Sequence, residues 1–327
     1  MVKFFLERIV TSIITLFMLS IVVFLMLQLA PGDPARLMLP LDATYEDVQV
    51  MRKELGLNKP IYVQYLVWLK KAVKFDFGKS IRGKESASKI LLKRLPATLE
   101  LILAGLLISV FFSIPIGIFV AFRRNSLWDL SSSIFSTILL STPRFWLGIL
   151  LILLFSVSLE WLPPFGRGPG LFGAVFQLFN GNFVPLWQSI KHLILPGVTL
   201  ASWFFPIFMR HTRTNIIEEK GKLYVKTARE KGITENRVRF VHIIRNALIP
   251  IITIIALHTG TFLGGSVIIE MVFAWPGVGQ LLVDALFARD YPLIQAGLLM
   301  IGTMIVSIFI LMDMIYGLID PRIRINQ

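Results

Sequence analysis

Residues 9–29 read IVTSIITLFMLSIVVFLMLQL, 21 residues with no charged side chain. A helix rises about 1.5 Å per residue, so this stretch matches the roughly 30 Å hydrocarbon thickness of a bilayer. Lys3 and Arg8 precede it, as they would in a signal peptide. The apolar run is longer than the roughly 7–15 residues of a signal core, and Gln28-Leu29-Ala30-Pro31 is a poor small-residue cleavage site. The stretch reads as a retained transmembrane helix. Five more follow: Ala97 to Phe122, Ser131 to Leu159, Leu193 to Met209, Asn246 to Ile269 and Leu293 to Met312. Only Glu100 and Arg144 carry charge inside them.

The rest of the composition agrees. Of 327 residues 55% are hydrophobic and 16% charged, against about 25% charged in a soluble domain. The mean hydropathy is +0.72. This composition argues against a soluble enzyme. The absence of cysteine removes a disulfide framework, a Cys-ligated metal and a thiol nucleophile. The net charge of +13 would suggest nucleic acid in a soluble protein, but no basic motif with interleaved stacking aromatics is present. In a membrane protein such an excess marks cytoplasmic loops.

Orientation follows from where the cations fall. With the N-terminus inside, the inner segments 1–8, 123–130, 210–245 and 319–327 carry sixteen Lys and Arg, and the short outer loops 159–192 and 271–292 carry three. Segment 30–96 carries thirteen on the outside, but at 67 residues it exceeds the length over which the positive-inside rule holds. The expected fold is all-α and integral to the membrane, with six transmembrane helices and both termini cytoplasmic. It divides into an N-terminal segment and first helix (1–29), an extracytoplasmic helical subdomain (30–96) and a five-helix core (97–327). In 30–96, Tyr45–Val48 and Tyr62–Leu69 place apolar residues on one helical face, so short helices are expected there, either capping the bundle or touching a partner or substrate. Segment 161–188 is rich in Gly, Pro and aromatics and reads as a folded outer loop.

The most informative stretch runs from Ile216 to Pro250. Within it stands Tyr224-Val225-Lys226-Thr227-Ala228-Arg229-Glu230-Lys231-Gly232. Ala228 and Gly232 are four apart, on one helix face without a bulky side chain, so another backbone or a groove can approach closely. Gly232 suits a left-handed helix end and Thr234 an N-cap for the next helix. The expected shape is a short helix, a tight turn and a second helix returning to the bilayer, a cytoplasmic knob fit for a groove on a partner.

Here the chain resembles the inner-membrane permease subunits of ATP-binding-cassette importers. Their loop signature is Glu-Ala-Ala, three residues, then Gly, with Ile-x-Leu-Pro beyond. This chain has Lys226-Thr227-Ala228 and Gly232, and closes late with Asn246-Ala247-Leu248-Ile249-Pro250, as in the dipeptide/oligopeptide/nickel branch. Other stretches resembling that branch are Ala30-Pro31-Gly32-Asp33-Pro34, Leu95-Pro96-Ala97-Thr98-Leu99-Glu100, Pro143-Arg144-Phe145-Trp146, Glu270 to Gly277, Arg289-Asp290-Tyr291-Pro292 and Asp320-Pro321-Arg322. The long first outer loop is that of the B-type subunit. The resemblance implies a type I importer permease fold and transport of di- or oligopeptides, or of nickel chelates, glutathione or oligosaccharides by the same machinery. It implies a heterodimer with a second permease, two cytoplasmic ATPase subunits that bind ATP and Mg, and an external binding protein. It also implies that Tyr224, Thr227, Ala228, Arg229, Lys231 and Gly232 form the ATPase-coupling surface. No Gly-x-x-x-x-Gly-Lys-Ser/Thr loop is present, so this chain is expected to be no enzyme and to hold no cofactor of its own.

An arginine at mid-span costs about 2.5–3.5 kcal/mol, so Arg144 must meet a partner or water. It either lines the pathway with Trp146 and attracts a substrate carboxylate, pairs with a buried acid, or reaches solvent where Pro143 bends the helix. His258 is the histidine deepest in a span, explained either by the pathway or by an interhelical hydrogen bond. No histidine spacing suits a metal. Glu100 and Glu270 lie near outer helix ends, where hydration is cheap, and read as gate or structural residues. Asp313, near Tyr316 and Asp320, reads as packing or inner-surface pairing. Gly260 and Gly264 read as close helix packing, and Gly264-Gly265-Ser266 lacks any base to make a nucleophile. An ion-coupled transporter would want a buried acid in a broken helix pair. A membrane enzyme would want an acid/base constellation. Neither pattern is found.

Overall fold

The computed structural model describes residues 2–28, 34–37, 39, 44–54, 56–81 and 83–319. Among them the only non-helical pairing is an isolated bridge between Lys79 and Ser86. In chain order the helices are α1 (Val2–Gln28), α2 (Pro34–Leu37), α3 (Tyr45–Glu54), α4 (Ile61–Ala72), α5 (Ala87–Phe122), α6 (Leu127–Ser141) and α7 (Arg144–Ile152). Then come α8 (Leu171–Leu178), α9 (Val184–Lys220), α10 (Leu223–Glu230), α11 (Glu235–Arg237), α12 (Arg245–Val272), α13 (Val278–Ala288) and α14 (Tyr291–Ile319). Wider π-type turns extend α7 over Leu153–Ser158 and lead from α11 into α12 over Val238–Ile244.

Five helices are long and apolar enough to cross a membrane, and the pair α6 and α7, taken as one broken span, makes six. That break corrects the continuous third helix expected over Ser131–Leu159. The axis turns by 102° between Ser141 and Arg144. Thr142 is extended at φ −87°, ψ 123°, because the ring of Pro143 crowds an α conformation in the residue before it. The other spans are longer than their apolar cores. α5 has 36 residues and α9 has 37, which at about 1.5 Å each exceeds the bilayer core. α5 begins ten residues before Ala97 because its first turns are amphipathic, with Ala87 and Leu91 buried while Lys89 and Lys93 stay outside. It continues through Pro96, and α9 carries Pro196 and Pro206 internally.

The chain forms two compact units. One comprises Met1–Pro96 with Gly277–Ser307. In it α3 and α4 stand where the apolar periodicity of 30–96 puts helices. α4 is pinned to α1 by Tyr65, whose hydroxyl is 2.8 Å from Ser20 Oγ and whose ring meets Phe24 at 5.4 Å. Trp68 Nε1 donates to Gln295 on α14 at 2.9 Å. Asp290, 2% exposed, accepts from Ser80 Oγ at 2.5 Å and from the Ile81 amide at 3.0 Å, closing the bridge region onto the start of α14. The second unit comprises Ala97–Pro276 with Ile308–Gln327. Its centre is the packing of α12 along α9, with α6, α7 and α8 also on α9. The side chains of Asp313 and Tyr316, Asp320-Pro321-Arg322, and most of Ala30–Pro34 lie outside the described residues.

Candidate functional site

The knob expected between the fourth and fifth spans is α10, an eight-residue helix. It ends as the sequence predicts. The Gly232 amide donates to the Arg229 carbonyl at 2.9 Å, and the Ile233 amide to the Ala228 carbonyl at 3.2 Å. Gly232 takes φ +75°, completing a Schellman end that a side chain would strain. Thr234 stands at the N-cap of α11, but its side chain makes no capping bond.

The small face points inward. Val225 is fully buried and Ala228 6% exposed, packed on Ala121, Ile216, Val238, Ile243 and Ala247. The close approach that Ala228 permits is therefore made to this chain's own helices, and Gly232 lies exposed beyond the helix end. Leu223, Tyr224, Lys226, Thr227, Glu230 and Lys231 form the outward surface. Polar ties fix the knob on both sides. The carboxylate of Glu219, near the end of α9, accepts from Lys222 Nζ and from the Tyr224 hydroxyl. Asn246, at the start of α12, donates to the Tyr224 oxygen at 3.0 Å and to the His242 carbonyl at 2.8 Å. Arg229 grips Glu235 with two 3.0 Å bonds, and Arg239 reaches the same carboxylate at 3.4 Å. Burial, then the neighbouring Glu219, pushes the Tyr224 phenol up, and the bond to Glu219 holds Lys222 above the usual amine range. The bond to Glu235 likewise raises Arg229.

In the spans, Arg144 opens α7 immediately after the break. Its guanidinium lies 4.6 Å above the Trp203 ring and 5.8 Å from that of Phe204. A Cβ on Gly265 would overlap it. Among the described residues no acid pairs with it. His258 makes no side-chain hydrogen bond among them either. It lies edge-on to Phe204 and Phe208 at 6.3 and 6.1 Å, and Phe204 stacks on Phe262 at 3.5 Å. Arg144 and His258 thus approach the same ring, while Trp146, half exposed on the first turn of α7, stands outside this row.

The outer carboxylates differ from the hydrated groups expected. Glu100 is 1% exposed and Glu270 fully buried. Arg167, from the Gly/Pro-rich loop, grips Glu100 through Nε at 2.7 Å and Nη2 at 2.6 Å, and the Phe172 amide adds a 3.0 Å bond. Thr98 Oγ1 donates to Glu270 at 2.7 Å. The indole of Trp275 donates to the Ala97 carbonyl at 2.7 Å, which explains part of the Glu270–Gly277 motif. Each helix end is desolvated because a donor replaces the water. Arg167, Glu219 and Trp203 were not singled out from the sequence. A signal existed for the first: Arg167 is the only charge in 161–188 and Glu100 the only one in 97–122. Glu219 and Trp203 carry no comparable mark.

Comparison with known proteins joins these features. Residues 113–325 match the family described as binding-protein-dependent transport system inner membrane component, and residues 1–102 match the N-terminal portion of such membrane components. The chain is 39% identical to the oligopeptide transport system permease protein AppB of Bacillus subtilis, over 99% of this chain and all of that one. It is 37% identical to the di/tripeptide transport system permease protein DppB of Pseudomonas aeruginosa and 34% identical to the dipeptide transport system permease protein DppB of Escherichia coli K12, each over 99% of both chains. The chain is a multi-pass inner-membrane protein and belongs to the family of binding-protein-dependent transport system permeases.

Proposed function

We propose that this chain forms half of the translocation pathway of an ATP-driven importer of di- and oligopeptides. It pairs with a second, related permease and takes substrate from an external binding protein. Two cytoplasmic ATPase subunits bind ATP and Mg and perform the hydrolysis. The observation that carries this reading is the knob. It is a short helix with an exposed face, tied by Glu219, Tyr224 and Asn246 to the ends of both α9 and α12. A helix held at both ends transmits a push on its outer face to two spans at once. The relatives, whose names specify dipeptide, di/tripeptide and oligopeptide transport, support the substrate class. Coupling would then run from ATPase closure, through the outward residues Tyr224, Thr227 and Lys231, to rearrangement of α9 and α12. Glu100 and Glu270 act as structural groups at the outer end of the same bundle.

The test is purification of the tagged chain from membranes, then uptake of a radiolabelled dipeptide in proteoliposomes. Copurification with a second permease and two ATPases, and uptake that needs ATP and the binding protein, is the expected result. ATP-independent uptake by this chain alone would overturn it.

A further inference from the structure

We infer that the Arg144 guanidinium, laid on Trp203 beside Gly265, is the point at which the pathway takes the C-terminal carboxylate of a peptide. The inference rests on the peptide-import reading above and adds to it a residue and a chemical group. A guanidinium carries five N–H donors in one plane and no acceptor. Stacking on Trp203 at 4.6 Å uses the face of that plane and leaves the donors at its edge available. Glu100 and Asp129, two acids of the same unit, are engaged elsewhere, by Arg167 and by Arg213 at 2.6 Å in each case. An arginine in a span without an acid is unfavourable by about 2.5–3.5 kcal/mol, so its free edge belongs where water or an anion reaches it.

The surroundings hold the group ready rather than neutralise it. Gly265 gives up its side chain to the space that the guanidinium fills, and Pro143 breaks the span so that Arg144 begins a new helix. Next to it the core is without formal charge: Phe204, stacked on Phe262, and Phe208 are fully buried, and His258 lies edge-on to Phe204 and Phe208. A carboxylate is planar and matches the guanidinium fork with two parallel bonds. Every unmodified peptide has one such group at its C-terminus whatever its side chains. A single fixed cation therefore recognises peptides by their end and tolerates their sequence.

The test uses the complete transporter in proteoliposomes with saturating loaded binding protein, and compares maximal uptake of a peptide with that of its C-terminal amide. The wild type should favour the free acid, and Arg144→Met should lower the acid-to-amide ratio about tenfold, the size expected of a charge-assisted bond. Arg144→Lys should fall between them. Gly265→Ala, which keeps the charge but displaces it, should lower the ratio in the same direction. An unchanged ratio in Arg144→Met overturns the inference while leaving peptide import intact, whereas no ATP-driven peptide uptake by the wild type overturns the import reading itself. If Arg144→Met fails to copurify with the second permease but Arg144→Lys assembles with a wild-type ratio, the charge serves the subunit interface and the inference fails.

Discussion

Among the charges in the apolar spans, Glu100 and Arg144 have opposite settings. Glu100 is held by a bidentate arginine and a backbone amide. Arg144 lies on an aromatic ring with no acid among the described residues. A carboxylate whose bonds are all supplied from within the fold has nothing left for a ligand, and its work is to hold the outer loop against the span. A cation whose donors are left over is expensive for the fold and is kept for something that arrives. Charge in a membrane segment therefore does not by itself mark function, and the state of its bonding does.

The contrast is sharpest in stability. Arg167→Met leaves the Glu100 carboxylate buried without its partner and should destabilise the protein by about 3 kcal/mol. Arg144→Met strands nothing and should cost about 1 kcal/mol, the loss of the cation–π contacts with Trp203 and Phe204. Thermal unfolding in detergent separates the two, and equal losses would break the comparison. The double variant with Glu100→Gln should recover much of the Arg167→Met loss.

A second pair of settings lies on the knob, where one face is buried and the other free. Ala228→Leu should overpack the seat against Ile216 and Val238 and cost about 1–3 kcal/mol, with weaker ATP-driven uptake. Thr227→Leu on the exposed face should leave unfolding unchanged. Comparable melting shifts in the two would contradict the burial pattern.

Smaller effects attach to the ties. Tyr224→Phe removes the bonds to Glu219 and Asn246 and should cost about 1 kcal/mol. Because Tyr224 and Lys222 have raised folded pKa values, their contribution is present below the unfolded values near 10.0 and 10.5 and fades only as pH rises through the folded ones. Between about pH 6 and 8 these two ties should therefore leave coupling unchanged.

The spans and the knob were legible because they rest on local regularities: runs of apolar residues long enough for a bilayer, and a Gly232 that only a left-handed helix end explains. The broken third span was half legible. Pro143 marks the place, but a proline can kink a helix or end it, and only the 102° turn decides. The direction of Ala228 was not legible, because a small residue permits close approach without saying from which side. The burial of Glu100 was not legible, because its place near a helix end says nothing of Arg167, which reaches it from 67 residues away.

The natural lack of cysteine makes the most direct measurement simple. A single Leu223→Cys or Thr227→Cys on the exposed face of the knob is placed in the assembled transporter, with the exposed Tyr45→Cys on α3, in the segment expected on the opposite side of the membrane, as the control. The knob positions should cross-link to an ATPase subunit, with a yield that changes on adding ATP, and the control should not. Absence of any ATPase adduct from the knob, or an equal yield from Tyr45→Cys, would contradict the assignment of this helix as the coupling surface.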